Sequence, residues 1–120
     1  YGQTEVPMCI TTLRKIDHLL EQPDRLLSCG LPCPGVQIKL FDSEMREVGI
    51  NEPGEICIRS PLTMNGYWKR PDATAEAFHG GWMHTGDLAV IDSGLEAGAG
   101  LITDDIAPAI PGMPLRAVTP

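Results

Sequence analysis

Two short stretches of the sequence combine residue types that could handle a nucleotide, and the first is YGQTE at residues 1–5. The hydroxyl of Thr4 can donate a hydrogen bond to a phosphate oxygen. Glu5 offers a hard oxygen ligand for Mg²⁺, which proteins usually bind through one or two carboxylates together with substrate phosphates. The aromatic ring of Tyr1 can lie against a base. The stretch is therefore a candidate magnesium–nucleotide site, and a strand end with a polar cap is the alternative.

The second stretch is HTGDL at residues 84–88, where Asp87 follows a Gly turn and precedes a strand. A carboxylate held at a strand entry can accept hydrogen bonds from both hydroxyls of a vicinal diol, as in a ribose. The alternative is an ordinary Gly-Asp turn. His84 has two interpretations as well, one beside a nucleotide and one as a packed side chain.

The intervening sequence predicts the elements that must position these residues. Three segments read as strands, the helical pattern lies between the second and third of them, and a Pro/Gly-rich loop precedes the first. Tyr67 and Trp68, beside Gly66, are predicted to pack on the core at a tight bend. Together the elements predict an α+β fold of short strands with one short helix. The strands are 36–42, 55–60 and 87–92, the helix is 70–78 and the loop is 28–35.

Composition excludes several classes of function. The chain has 120 residues and a net charge of −7, without the basic patch of a nucleic-acid-binding protein. No apolar run approaches the length of a transmembrane helix. The four cysteines lack the paired short spacings of a zinc site and read as small buried side chains in a reducing compartment, so we expect a cytoplasmic protein. Residues 93–120 are rich in Ala, Gly and Pro, and their four prolines argue against a regular element near the end.

The order and spacing of the motifs resemble those of the adenylate-forming (AMP-binding) enzymes, which include acyl-CoA synthetases, luciferases and the adenylation domains of peptide synthetases. Within that superfamily the sequence is most similar to acyl-CoA synthetases of the fatty-acid or aryl-acid kind. The resemblance covers about residues 1–94 and rests on YGQTE, SCGLPCPGVQIKLFD, GEICIRSPLTMNGYWKRPDATAEAF and GGWMHTGDL.

The resemblance implies an ATP-dependent acid–thiol ligase, which joins a carboxylic acid to AMP and then passes the acyl group to CoA. It also implies roles for five residues. Thr4 would contact the nucleotide phosphate, Glu5 would hold Mg²⁺ and Tyr1 would lie against the adenine. Asp87 would bind the ribose hydroxyls of ATP or AMP, and Gly2 would permit close approach of the backbone.

The resemblance also shows what this sequence lacks. A Gly/Ser/Thr-rich phosphate loop ending in Lys, a basic hinge and a late lysine are all missing. We therefore expect residues 1–92 to be part of an adenylation domain, mainly its β-barrel-like subdomain, followed by an atypical tail at 93–120. Such a fragment would be inactive alone and only marginally stable in residues 1–30. A non-catalytic nucleotide-binding remnant and a plain structural β domain are the alternatives.

Overall fold

The computed structural model describes residues 1–7, 9–91 and 115–117. Antiparallel strands and one short helix make up this part of the chain, as the predicted fold class requires. The strands lie in the order β1-β2-β7-β6-β4-β3, with β5 also paired to β6. The bounds are β1 Thr11–Thr12, β2 Ser28–Pro32, β3 Gln37–Phe41, β4 Gly54–Arg59, α1 Pro71–Ala77, β5 Phe78–His79, β6 Trp82–Ile91 and β7 Leu115–Ala117, with 3₁₀ turns at Lys15–Asp17 and Pro23–Leu27.

Strand β3 pairs with β4 along its whole length, from Gln37 opposite Arg59 to Phe41 opposite Glu55. Both strands were predicted from alternating apolar residues, and Leu40, Ile56 and Ile58 are indeed buried on one face. The other face is covered as well, because a second buried cluster lies there. That cluster consists of Phe41, Cys57 and Trp82.

The main core cluster ties the first residues of the chain to this sheet. Val6 and Ile10 are fully buried beside Leu40, Ile56 and Met83, and the half-buried ring of Tyr1 packs against the same cluster. The YGQTE stretch is therefore anchored by the apolar residues that follow it.

Strand β6 is longer than predicted, and HTGDL lies inside it rather than in a turn before it. Cys57 of β4 is opposite His84, but Glu55, two residues earlier, is opposite Leu88. Residues 85–87 therefore face the single residue Ile56, which gives β6 two extra residues at this point. This irregularity, called here the 85–87 bulge, needs a glycine because Gly86 has φ +76°.

Two predictions about irregular segments are wrong. The predicted loop 28–35 contains β2, because Gly30 at φ +85° lies at an irregular point of the pairing with β7 and Pro32 lies at the end of the strand. The tail contains β7, whose three residues fit between Pro114 and Pro120 and pair with β2 and β6. The rest of the predicted tail, 93–114 and 118–120, lies outside the described residues.

The predicted helix is confirmed as α1, which begins with Pro71 at a position where its missing N–H is not needed. No helix in the described part of the chain is long or apolar enough to cross a membrane.

Candidate active site

The YGQTE stretch forms a tight turn whose ends are held by backbone hydrogen bonds. The amide of Val6 donates to the carbonyl of Gln3 at 3.2 Å, and Thr4 and Glu5 occupy the turn between them. The carbonyl of Tyr1 accepts hydrogen bonds from the amides of Ile10 and Thr11 at 2.9 and 3.1 Å, so the chain doubles back after the turn. This leaves the backbone at Gly2 and the side chain of Thr4 exposed.

The turn meets the 85–87 bulge through hydrogen bonds to Asp87. The hydroxyl of Tyr1 donates to Asp87 Oδ2 at 2.5 Å, and Gln3 Nε2 donates to the same oxygen at 2.9 Å. Gln3 Nε2 also reaches the carbonyl of Thr85 at 2.9 Å. Both side chains thus fix one oxygen of an otherwise exposed carboxylate, and Oδ1 remains available to a ligand.

Tyr1 remains a hydrogen-bond donor over the whole neutral pH range. Burial and the hydrogen bond to Asp87 both raise the pKa of its phenol. The phenol therefore cannot repel the carboxylate by ionising, and its contact with Asp87 is that of a neutral donor with an acceptor. This contact was not predicted, since the sequence reasoning assigned to Tyr1 only its aromatic face.

Glu5 is held by a residue that the sequence analysis placed elsewhere. The hydroxyl of Tyr67 donates to Glu5 Oε1 at 2.9 Å, and the Glu5 carbonyl accepts a hydrogen bond from the Met64 amide at 2.8 Å. The prediction that Tyr67 and Trp68 pack on the core is wrong, because both are exposed, Trp68 to 85%. A tyrosine 62 positions from Glu5 carries no local signal of this contact.

The structure thus brings together the two stretches that the sequence singled out. Tyr1 and Asp87 are in direct contact, and Thr4 and Glu5 lie in the turn that begins with Gln3. Sequence reasoning missed Gln3 and Tyr67. The position of Gln3 inside the YGQTE motif was the only available signal.

Behind the bulge lies a small cluster of Glu55, Cys57 and His84, whose possible ligand atoms are within 4.8 Å of one another. His84 is a packed residue, with a side chain only 8% exposed and a ring stacked on that of His79 at 3.5 Å between centroids. Burial, with Glu55 nearby, raises the pKa of the Cys57 thiol to about 12. The Cys57 thiol is therefore neutral in this hydrogen-bonded cluster.

Comparison with known proteins decides the family. Residues 1–68 match the family model described as AMP-binding enzyme. This chain belongs to the AMP-binding enzyme family. The resemblance drawn from the motifs is therefore confirmed.

Relatives within the family include fatty-acid ligases. The chain is 48% identical over 93 residues to the medium/long-chain-fatty-acid–CoA ligase FadD8 of Mycobacterium tuberculosis, covering 78% of this chain and 16% of that protein. It is 54% identical over 65 residues to a long-chain-fatty-acid–CoA ligase of Escherichia coli O157:H7, covering 54% of this chain and 12% of that protein. This chain thus spans less than a fifth of these relatives' lengths.

A solved structure supports the same fold. The o-succinylbenzoate coenzyme A synthetase of Bacillus subtilis, in complex with ATP and magnesium ion, matches with a TM-score of 0.72 and 27% identity. The match covers 98% of this chain and 20% of that one. The fold is therefore that of a part of the adenylation domain, as predicted.

Proposed function

We propose that this chain contributes the nucleotide-binding part of an acyl-CoA synthetase, an ATP-dependent acid–thiol ligase. The observation that carries the proposal is the contact of Tyr1 and Gln3 with Asp87, which joins the two motifs of the family in one place. The substrate class is a fatty acid, as the names of the two ligase relatives suggest. CoA is the acyl acceptor.

Asp87 is the proposed ribose-binding residue. Its Oδ2 is engaged by Tyr1 and Gln3, so the carboxylate is held in one orientation before a ligand arrives. Such preorganisation lowers the cost of ordering a side chain on binding. A ribose presents neutral hydroxyls, which can donate hydrogen bonds to a carboxylate. A phosphate in the same place would repel the carboxylate.

Tyr1, Gly2 and Thr4 are proposed to contact the rest of the nucleotide. Tyr1 lies against the adenine, Gly2 lets the backbone approach it closely, and the hydroxyl of Thr4 donates to a phosphate oxygen. The exposed position of Gly2 and Thr4 beside Asp87's partners supports these roles, because a ligand can reach both.

Glu5 fits the magnesium ion that the family uses. Its side chain is half-buried, and the hydrogen bond from Tyr67 occupies Oε1 and leaves Oε2 as a hard oxygen donor. Bound Mg²⁺ would neutralise phosphate charge during the transfer. Tyr67, as a neutral donor, holds the Glu5 carboxylate in place for that role.

In the proposed reaction a carboxylate oxygen of the acid bonds to the α-phosphorus of ATP, and the bond to pyrophosphate breaks. The CoA sulfur then bonds to the acyl carbon, and AMP leaves. Residues of this chain hold and orient the nucleotide in both steps, which converts an encounter of separate molecules into a reaction of aligned groups. The missing lysines would come from other parts of a longer protein.

We further propose that residues 1–92 are a partial adenylation domain, that 93–120 are a tail whose sequence is unlike the family, and that the protein is cytoplasmic. Four free cysteines within the described residues support a reducing compartment. Such a fragment would not turn over substrate alone, so its activity has to be tested with the remaining parts supplied.

A chimeric ligase provides that test. Residues 1–91 replace the aligned stretch of the M. tuberculosis relative, and ATP–pyrophosphate exchange is measured with a medium-chain fatty acid. We expect exchange activity, and the D87A variant should raise the KM for ATP about tenfold or more, as loss of a charged hydrogen-bond partner predicts.

The matched control is D72A, which removes an exposed aspartate from α1 and should leave the KM for ATP unchanged. A D87A chimera with an unaltered KM would refute the assignment of the ribose site. A chimera that binds AMP without exchange would favour the alternative of a non-catalytic remnant.

A further inference from the structure

The 85–87 bulge creates a backbone problem that one side chain solves. Because residues 85–87 face the single residue Ile56, the regular ladder of β4 and β6 is interrupted there. Gly86 is exposed, so water could satisfy its amide but would not fix the direction of that amide, whereas a side-chain acceptor can. The amide of Gly86 finds its partner in Glu55, whose Oε1 accepts the hydrogen bond at 2.9 Å. Glu55 thus substitutes a carboxylate for a missing ladder carbonyl.

The other oxygen of Glu55 is held from a different direction. His84 Nδ1 lies 2.8 Å from Glu55 Oε2, and the carboxylate can only accept, so Nδ1 carries the hydrogen. Since the His84 ring is almost fully buried and stacks on His79, it cannot turn away from Glu55. Both oxygens of Glu55 are therefore fixed, and so is the Gly86 amide that depends on one of them.

Hydrogen bonds within the bulge also fix the backbone of Asp87. The Thr85 hydroxyl donates to the Ile56 carbonyl at 2.8 Å and accepts a hydrogen bond from the Asp87 amide at 3.1 Å. The Asp87 backbone is thus held directly by Thr85, and the preceding residue Gly86 is held by Glu55. These contacts determine where the Asp87 carboxylate emerges.

A metal ion is the competing interpretation of Glu55, Cys57 and His84. Both Glu55 oxygens already accept hydrogen bonds from Gly86 and His84, and the Cys57 thiol is fully buried. A metal would have to displace these bonds and ionise the thiol. The hydrogen-bonded arrangement accounts for Glu55 and for His84 Nδ1 without an ion.

We propose that Glu55 is a positioning residue for Asp87, acting through the Gly86 amide, with His84 holding the Glu55 carboxylate. The inference rests on the proposed function insofar as Asp87 binds the ribose. The role depends on geometry rather than on charge, because a neutral acceptor of the same length could hold the same amide.

The test uses the 120-residue chain, labelled with ¹⁵N and titrated with AMP by NMR. Three variants separate geometry from charge. E55A removes the acceptor and should weaken AMP binding about tenfold, as the loss of one hydrogen bond to a charged group predicts. E55D keeps the charge but is too short to bridge Gly86 and His84, and should resemble E55A. E55Q keeps the length and an acceptor oxygen for Gly86, and its NH2 group can donate to His84 once the ring hydrogen moves from Nδ1 to Nε2. AMP binding should therefore stay within about threefold of that of the unsubstituted chain.

The matched control is E52A. Glu52 also accepts a hydrogen bond from a glycine amide, that of Gly49 at 2.8 Å, but away from Asp87. E52A should alter hydrogen exchange at Gly49 and leave AMP affinity unchanged. In E55A and E55D, exchange at the Gly86 amide should accelerate without AMP present.

Several outcomes would overturn the proposal. Unaltered AMP affinity in E55D would show that the length of the side chain at residue 55 does not matter. AMP binding as weak in E55Q as in E55A would assign the effect to the charge of Glu55. If D87A weakens AMP binding but E55A does not, the ribose site stands and the positioning role fails. If the unsubstituted chain binds no AMP, the proposed function fails for this chain, and unchanged Gly86 exchange in E55A and E55D would then refute the positioning role separately.

Discussion

The β3–β4–β6 sheet and the 13–27 segment are built on opposite principles. In the sheet, β4 pairs with β3 on one side and β6 on the other, and Leu40 and Ile56 lie in a continuous core. The 13–27 segment has two 3₁₀ turns, and its backbone bonds include local ones such as Asp17 to Arg14 and Gln22 to Leu19. It exposes four large aliphatic side chains, those of Ile16, Leu20, Leu26 and Leu27.

This difference indicates which region of the structure holds the candidate site rigid. Asp87 and Glu55 lie on the sheet, and the YGQTE turn is anchored to the sheet's core by Val6 and Ile10. The site therefore depends on the well-buried region and not on the 13–27 segment. Perturbing one region should leave the other's properties largely unaltered.

Hydrogen exchange should show the largest contrast. Amides of β4, such as those of Ile56 and Ile58, should exchange only through global unfolding, whereas those of 15–27 should open locally at little cost. We expect protection factors that differ about a thousandfold or more, which corresponds to about 4 kcal/mol. Mass spectrometry of exchanged peptides measures this. Uniform protection across residues 1–91 would contradict the difference drawn between the sheet and the 13–27 segment. It would also contradict the predicted marginal stability of residues 1–30.

The same substitution in both regions gives the next largest effect. Ile56 is 1% exposed and Ile16 is 75% exposed. I56A should lower the free energy of unfolding by about 2–5 kcal/mol, because it leaves a cavity in the core. I16A should change it by about 0.5 kcal/mol or less. Urea titration followed by tryptophan fluorescence can detect both, since Trp82 is buried beside Phe41. Equal effects would show that the 13–27 segment is packed as well as the sheet.

Sequence patterns predicted the sheet better than its irregularities. Alternation along residues 36–42 and 55–60 predicted β3 and β4, since both strands contribute alternate apolar residues to the main core cluster. The start of β6 at Trp82 was missed because Gly81 and Gly86 suggested turns on either side of 82–85. Strands β2 and β7 were missed for a related reason: Pro and Gly locally favour loops, and only pairing with distant strands overrides them.

The candidate site shows the same division. Residue types and motif order were enough to predict chemical roles for Tyr1, Thr4, Glu5 and Asp87. The contacts of Gln3 with Asp87 and of Tyr67 with Glu5 are not, because each joins positions more than 60 residues apart. Such pairs depend on how distant turns and loops are brought together by the complete fold, which local sequence patterns do not specify.

Two glycines distinguish backbone conformation from close packing at the edge of the 13–27 segment. Gly30 and Gly35 have similar positive φ values, +85° and +81°. A Cβ at Gly30 would lie 2.1 Å from the Thr12 carbonyl oxygen, whereas nothing lies within 4 Å at Gly35. G35A should therefore cost only the left-handed strain, about 1–2 kcal/mol. G30A should cost about 1–3 kcal/mol more, because β1 has to move away from β2.

Thermal unfolding and exchange at the Thr12 amide measure that difference. G30A should accelerate exchange in β1 and leave β4 protected. Equal stability of the two variants would mean that β1 is not held against β2 in solution. The weakly packed region would then begin at residue 11 rather than at residue 13.

The smallest expected effect is a pH-dependent ion pair inside the 13–27 segment. Arg14 Nε donates to Asp17 Oδ2 at 2.7 Å and Nη2 donates to Oδ1 at 3.2 Å, and these hydrogen bonds lower the pKa of Asp17. A lowered folded-state pKa means that the pair stabilises the fold fully above the unfolded pKa of about 4 and loses this contribution as the pH falls through the lower folded value. D17N should therefore destabilise the chain at pH 7 and much less at pH 2.

The magnitude should stay within about 1 kcal/mol, because the Arg14 side chain is 45% exposed and solvent screens the pair. A double-mutant cycle with R14Q isolates the pair, since R14Q and D17N should each remove the same pH-dependent contribution and combine non-additively. Salt should weaken the coupling at pH 7. Additive effects of the two substitutions would show that the Arg14–Asp17 pair itself contributes nothing measurable to stability.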